Sequence, residues 1–230
     1  MSQLTILSAL TLGAPFAQLE PKWRALHPDI ALDFHWHPST VIAQQVAAGV
    51  AADAIVATIE TQAQLEREGF LQADSVTDLV DSPIGFAVLP GVTPPDISTP
   101  EAVKQTLLAA RSVAWSAGGA SGIYFAELLN QLGIDAEVRA RGTIIRAGYT
   151  AEQLHNGAAD IALQQISELL MVPNIQIVGA LPAPLQQPVS LAGSVLQTSN
   201  NAVAAQQFLH WLQTPEVFAV FSQYGLTKRY

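Results

Sequence analysis

Short apolar runs alternate with stretches of helical spacing along most of the chain. "LTILSAL" (4–10) is β-branched and apolar and reads as a buried strand. Phe16, Leu19, Trp23 and Leu26 then recur at helical spacing, with Pro15 suited to a first helical turn. "IALDFHWH" (30–37) alternates, with Leu32, Phe34 and Trp36 on one face and Asp33, His35 and His37 on the other. "PSTVIAQQVAAG" (38–49) predicts a helix, with Ser39 or Thr40 as its N-cap and Gly49 as its stop. "AIVAT" (54–58) is a third buried strand and "TQAQLEREG" (61–69) a third helix.

Five prolines between 81 and 101 break this rhythm, around a strand near 84–89. The alternation then restarts: helix 100–110, strand 112–115, helix 121–132, a strand near 135–140, helix 150–156, and strands at 160–165 and 175–181. Residues 184–196 carry the chain back, and helices at 201–213 and 215–223 end it. Such alternation implies right-handed crossovers and mostly parallel sheets flanked by helices. The fold class is therefore α/β, as two open Rossmann-like lobes. Residues 1–82 and 189–230 are expected to form lobe 1, and 83–188 lobe 2, with a ligand cleft between them. In such sheets ligands sit beyond the carboxyl ends of the strands, against helix N-termini.

Composition narrows the function. Of 230 residues half are apolar, so a sizeable core is available. Ten basic residues against nineteen acidic ones give a net charge of −9, and no basic cluster exists to neutralise phosphates, which excludes a nucleic-acid footprint. The lone basic pair, Lys228-Arg229, is expected to close a helix or fray. Without cysteine there are no disulfides, zinc–thiolate sites or cysteine nucleophiles. No apolar run reaches membrane-spanning length, so the chain is not expected to be membrane-embedded. The start of the sequence lacks a signal-peptide pattern, which points to the cytoplasm for the chain as it stands, or to the periplasm if a signal has been removed.

Candidate chemistry gathers at predicted strand ends. In "SAGGASGIYFAELLNQLG" (116–133) the glycines allow close backbone approach, and Ser121 and Gly122 are expected to offer free N–H groups at a helix start. It matches neither a Walker loop nor a G-x-G-x-x-G fingerprint, and it also serves as a plain turn with Ser121 as N-cap. Ser8 and Thr11 in "SALTLG", and His37 and Ser39 in "HPST", repeat the theme after the first two strands. Three such ends exceed what capping requires and suggest an anion site. His35 and His37 share a spacing that can hold a metal, but no third histidine lies nearby, and no metal or cofactor is expected. Arg146 reads either as a surface ion pair or as a bidentate carboxylate clamp. Gln164 ends a strand and either bonds across the sheet end or orients a ligand.

These residues, in this order, resemble the molybdate-binding branch of the type II periplasmic-binding-protein superfamily over nearly the whole chain. "LTILSALTL", "HPSTVIAQQVAAGVAADAIVAT", "GGASGIYFAELLNQLG" and "FLHWLQTPEVFAVFSQYGL" carry the likeness. It implies two lobes joined by a two-segment hinge, and an oxyanion held by hydroxyls and amides. The family's ligand positions fall near Thr11, His37, Ser121, Arg146 and Gln164. Histidine replaces a family serine at 37, Arg146 stands where an apolar residue offers its amide, and Gln164 replaces a tyrosine. A histidine and an arginine suit an organic carboxylate better than a molybdate-like oxyanion. The expected partner is thus a small anion, with an ABC permease besides if the chain is exported. The same branch includes aconitate isomerase, to which "QQ-x-SEL" is also similar. That implies an alternative of another class, allylic proton transfer without a cofactor. There His37 or Glu60 would be the base, and Arg146, Ser121 and the Gly122 N–H would hold carboxylates.

Overall fold

The computed structural model describes residues 2–230. Contacts divide the chain into two units, one running to Ser82 and again from Ser190 to Tyr230, the other Pro83–Val189.

The first unit alternates as its sequence pattern requires: β1 (Ser2–Ala9), α1 (Gly13–Leu26), β2 (Ile30–His37), α2 (Ser39–Ala47), β3 (Ala54–Thr58), α3 (Ile59–Arg67) and β4 (Thr77–Ser82). In the second unit come β5 (Ile84–Val88), α4 (Pro100–Ala109), β6 (Val113–Ser116), α5 (Ala120–Gln131), α6 (Asp135–Ala140), β7 (Thr143–Ile145), α7 (Glu152–His155), β8 (Ile161–Gln165), α8 (Ile166–Leu169) and β9 (Gln176–Ala180). The chain then returns through β10 (Val189–Val195), α9 (Ala202–Leu212), α10 (Pro215–Phe221) and β11 (Thr227–Lys228).

One sheet has the order β11-β4-β10-β3-β1-β2, the other β7-β6-β8-β5-β9. In the first, β1 runs parallel to β2 and β3, while β10 is antiparallel to β3. In the second, β6 runs parallel to β7 and β8, while β5 is antiparallel to β8 and β9. The parallel strands set the carboxyl edge of each sheet. Those edges are the ends of β1, β2 and β3 in one unit, and of β6, β7 and β8 in the other.

Each sheet is packed on both faces. On one face of the first, Phe16, Trp23, Phe208 and Trp211 form an aromatic cluster that continues onto Phe34 of the edge strand β2. Leu7, Ile42, Ile55 and Leu65 fill another cluster of that unit. In the second unit Trp115 meets Phe125 edge-on, and Ala114, Ala162, Leu154 and Leu169 belong to a further cluster.

Four expectations are corrected. Residues 135–140 form α6 rather than a strand, and the strand comes at Thr143–Ile145. "DAEVRA" holds one β-branched residue, and Arg139 bonds Asp135 one turn back, so local preference favours the helix. β4 was not expected, because Asp78 and Asp81 interrupt its short apolar run. Lys228 and Arg229 neither close a helix nor fray. Thr227–Lys228 pairs with β4, and Arg229 bonds Asp78. Ser39 and Thr40 are inside α2, whose N-cap position is Pro38.

Candidate functional site

At the carboxyl edge of the first unit, hydroxyl groups are plentiful and largely occupied. Ser8 is fully buried on β1 opposite Trp36 and Val56, its hydroxyl directed at the Ala9 carbonyl. Thr11 lies buried in the 3-10 turn after β1. His37 ends β2, half-buried, with Nε2 3.1 Å from the Gln45 side-chain amide. Ser39 does not cap its own helix. Its hydroxyl accepts the Thr58 N–H at 3.1 Å and so ties the start of α2 to the end of β3. Thr58 caps α3 by accepting the Thr61 N–H, and its hydroxyl donates to that of Thr61. Glu60 projects from the first turn of α3, exposed. His35 faces outward and pairs with Asp33 on the same side of β2, at 3.2 Å. Among the described residues no group of three or more histidines and acids could hold a metal ion.

The second unit is different. Register sets Ser116 of β6 opposite Ile145 of β7, and the Ala117 N–H donates to the Ile145 carbonyl. Arg146 therefore follows directly beside the glycine turn. Its guanidinium is exposed and makes no hydrogen bond or ion pair with any described residue. The Ser116 hydroxyl is buried, also without a partner. Two glycines fit around it. A Cβ on Gly119 would sit 2.5 Å from the Ser116 Oγ, and one on Gly122 would sit 1.8 Å from the Ser116 carbonyl oxygen. These glycines thus let α5 close onto the end of β6, while Gly118 is the open one, with nothing within 4 Å of its added Cβ. The expected free N–H of Gly122 is a correction: it donates to the Gly119 carbonyl at 3.0 Å, a tight first turn. The open amides are those of Ala120 and Ser121, which have no backbone acceptor among the described residues. Ser121 is buried one position inside the helix, whose N-cap is Gly119.

Gln164 is spent internally. Its Oε1 accepts the Thr150 N–H at 2.8 Å and the Thr150 hydroxyl at 3.0 Å, and its Nε2 reaches the Gly148 carbonyl at 3.4 Å. It fixes the loop that carries Arg146, the first of its two sequence readings. Sequence reasoning passed over Ser116 and Thr58, placed Gln165 with Gln164 at the strand end without giving it a role, and met Glu168 only within the "QQ-x-SEL" segment. Thr58 had a readable signal, a threonine three positions before Thr61 at a strand-to-helix junction. The others matter through burial and partners, which no local pattern displays.

A cavity of about 490 Å³ in the first unit lies away from these strand ends. It is lined by Gln3, Thr5, Asp53, Phe70 and Asn201, at the opposite edge of the sheet. Among the described residues no helix is long and apolar enough to cross a membrane.

Two mixed α/β units, linked by two crossings of the chain and rich in donors at their strand ends, define a type II periplasmic binding protein fold. The periplasmic molybdate-binding protein of Azotobacter vinelandii superposes with a TM-score of 0.82 at 18% identity, over 99% of this chain and 100% of that one. Residues 4–227 match the family model described as bacterial extracellular solute-binding protein, and the chain belongs to that family. It is 30% identical to an aconitate isomerase of Pseudomonas sp, over 98% of this chain and 88% of the relative. It is 21% identical to a putative ABC transporter substrate-binding lipoprotein of Bacillus subtilis, over 97% of this chain and 86% of the relative.

Proposed function

We propose that the chain binds a small anion through these strand-end clusters, and that the anion is an organic carboxylate rather than a molybdate-like oxyanion. One observation carries the reading. At the carboxyl edge of the second unit, the Arg146 guanidinium and the Ser116 hydroxyl stand without acceptors of their own, beside the first amides of α5. In a chain of net charge −9, that is a local collection of donors suited to an acceptor-rich ligand. Arginine binds a planar carboxylate through two parallel, charge-assisted hydrogen bonds. Acting as a receptor, the chain would pass its anion to an ABC permease, a reading supported by the description of the Bacillus relative.

A second reading has its own support. The relative of 30% identity is an aconitate isomerase, and identity runs along 98% of this chain. On this reading the bound carboxylate is turned over by allylic proton transfer.

A thermal-shift screen separates the ligands. Molybdate, tungstate, sulfate, phosphate, citrate and the two aconitates are compared in one buffer. Ligand at 100 times its Kd stabilises by about 2.7 kcal/mol. A rise in Tm with the carboxylates is expected. A rise with molybdate and tungstate alone overturns the carboxylate assignment, and no rise with any of them overturns anion binding.

A further inference from the structure

Two acidic side chains are more than nine-tenths buried among the described residues, Asp53 at 7% exposure and Glu168 at 5%. Asp53 is accounted for by architecture. Its carboxylate accepts the Thr5 N–H, the Ser199 hydroxyl and the Asn201 amide, and it staples the sheet at the edge away from the candidate residues.

Glu168 differs in place and in company. It follows β8 at the carboxyl edge of the second unit, and Gln165 donates to its Oε1 at 2.9 Å. The adjoining Ser167 hydroxyl is fully buried without a partner. The carboxylate also lies close to Tyr149. Burial raises that phenol above its ordinary value, and the charges of Glu168 and then Glu152 push it further up. Tyr149 belongs to the loop of Arg146, which Gln164 pins to β8. So a buried carboxylate neighbours the very loop that carries the unpaired guanidinium. Burying a carboxylate is costly, and one beside an anion's donors repels that anion. A pure receptor gains nothing from it, whereas a proton-transfer site requires a base.

We propose that Glu168 is the catalytic base of an allylic isomerisation of an unsaturated polycarboxylate, with Gln165 as the positioning residue that aims it. The inference rests on the second reading above. The Glu168 carboxylate takes a proton from the methylene carbon next to the alkene. The freed C–H pair becomes the new C=C as the old π pair moves into a carboxylate-conjugated dienolate. Glu168 then returns the proton to the far carbon of the allyl unit. One C–H bond breaks and one forms, with no net oxidation and no co-reactant. Arg146 and the α5 amides hold the carboxylates and the growing negative charge. The sequence-based candidates are placed less well. His37 is engaged with Gln45, and Glu60 is exposed.

Gln165 and Glu168 also occupy the N-cap and third positions of α8, so a purely structural capping role is the rival. The test uses the full chain, with trans-aconitate as the probe. Binding is followed by calorimetry, and conversion and deuterium uptake from D2O by NMR. Glu168→Gln retains an oxygen for Gln165 to donate to. It is expected to bind within about threefold of wild type while turnover and exchange fall at least about 100-fold. Glu168→Asp withdraws the carboxylate by one methylene and is expected to lose about tenfold or more in turnover with Tm kept. That second variant decides the matter if Glu168→Gln does not fold. Turnover at wild-type level in either variant overturns the proposal. Wild-type binding with neither turnover nor exchange also overturns it and leaves anion binding standing. Failure of wild type to bind any carboxylate overturns the carboxylate reading itself.

Discussion

The carboxyl edges of the two units use similar residues in opposite ways. In the first, hydroxyls and amides answer one another: Ser39 takes the Thr58 N–H, and Thr58 and Thr61 bond each other. In the second, Ser116 and Arg146 have no partner among the described residues, although Gln164 and Thr150 beside them are saturated. A buried polar group without a partner costs free energy, of order 1–3 kcal/mol for a hydroxyl. At the first edge the Ser39, Thr58 and Thr61 hydroxyls are satisfied by folding, although the buried Gln45 Oε1 and Ser82 hydroxyl of that unit lack partners, and at the second edge the buried Ser116 hydroxyl and the exposed Arg146 guanidinium are left open. Residue type alone does not separate a ligand donor from a structural one, since serine and threonine supply both. The distinction lies in what the neighbours have already taken.

The largest effect that tests this contrast comes from the glycines of the second edge. Gly122→Val puts atoms where the Ser116 carbonyl oxygen stands, so α5 must move away from β6. A loss of about 3 kcal/mol in stability is expected, the upper part of the range for overpacking. Carboxylate affinity should fall with it, as the α5 amides and the Ser116 hydroxyl lose register. Gly118→Ala, in the same turn but with open space around it, should stay within about 0.5 kcal/mol of wild type. Urea unfolding of both variants checks the pair. Equal losses would mean that the turn, rather than the helix approach, limits the site.

Next in size is a crossed pair of substitutions, one at each edge. Arg146→Ala removes an exposed guanidinium that bonds nothing among the described residues, so stability should stay within about 0.5 kcal/mol. Affinity for citrate or aconitate should drop about 30-fold, about 2 kcal/mol, the loss of a charge-assisted pair. Ser39→Ala should do the reverse. It leaves the buried Thr58 N–H without its acceptor, at a cost of about 1–2 kcal/mol in stability. Calorimetry and denaturant melts on both variants complete the cross. Stability lost at Arg146 and affinity lost at Ser39 would invert the assignment of the two edges.

How much of this the sequence displayed follows from which physics is local. Strand-to-helix alternation, the aromatic spacing of α1 and the glycine turn were legible, and with them the α/β class and the family. The 135–140 segment was misjudged although its residues favour a helix and Val138 is its one β-branched residue. β4 was missed because its partners, β10 and β11, lie more than a hundred residues away in sequence. Arg146 and Ser121 stood out as a rare cation and a lone hydroxyl in glycine-rich surroundings. Ser116 and Glu168 did not. A serine that ends a strand and a glutamate in a short helix are ordinary until their burial is known.

The smallest expected effect probes the charge at the second edge most directly. Tyr149 has its phenol raised above 10.0 by burial first, and then by the charges of Glu168 and Glu152. A raised folded-state value means that the neutral phenol is favoured in the native protein. Its contribution to stability is present in full below the unfolded value near 10, and is lost as pH climbs through the folded value. Wild type should therefore lose stability between pH 10 and the alkaline limit of folding, as about 10 is the unperturbed phenol. Tyr149→Phe should lose less over the same interval, since it has no proton to give up. Glu168→Gln should recover part of that difference with the phenol still present, because one of the two nearby charges is gone. Tyr124 and Tyr230 are also raised, chiefly by burial, but the Glu168 charge does not contribute to either. They set a common background against which the two variants are read. An alkaline limb identical in wild type and Glu168→Gln would place the Glu168 charge away from the Tyr149 loop and remove one support for its role as a base there.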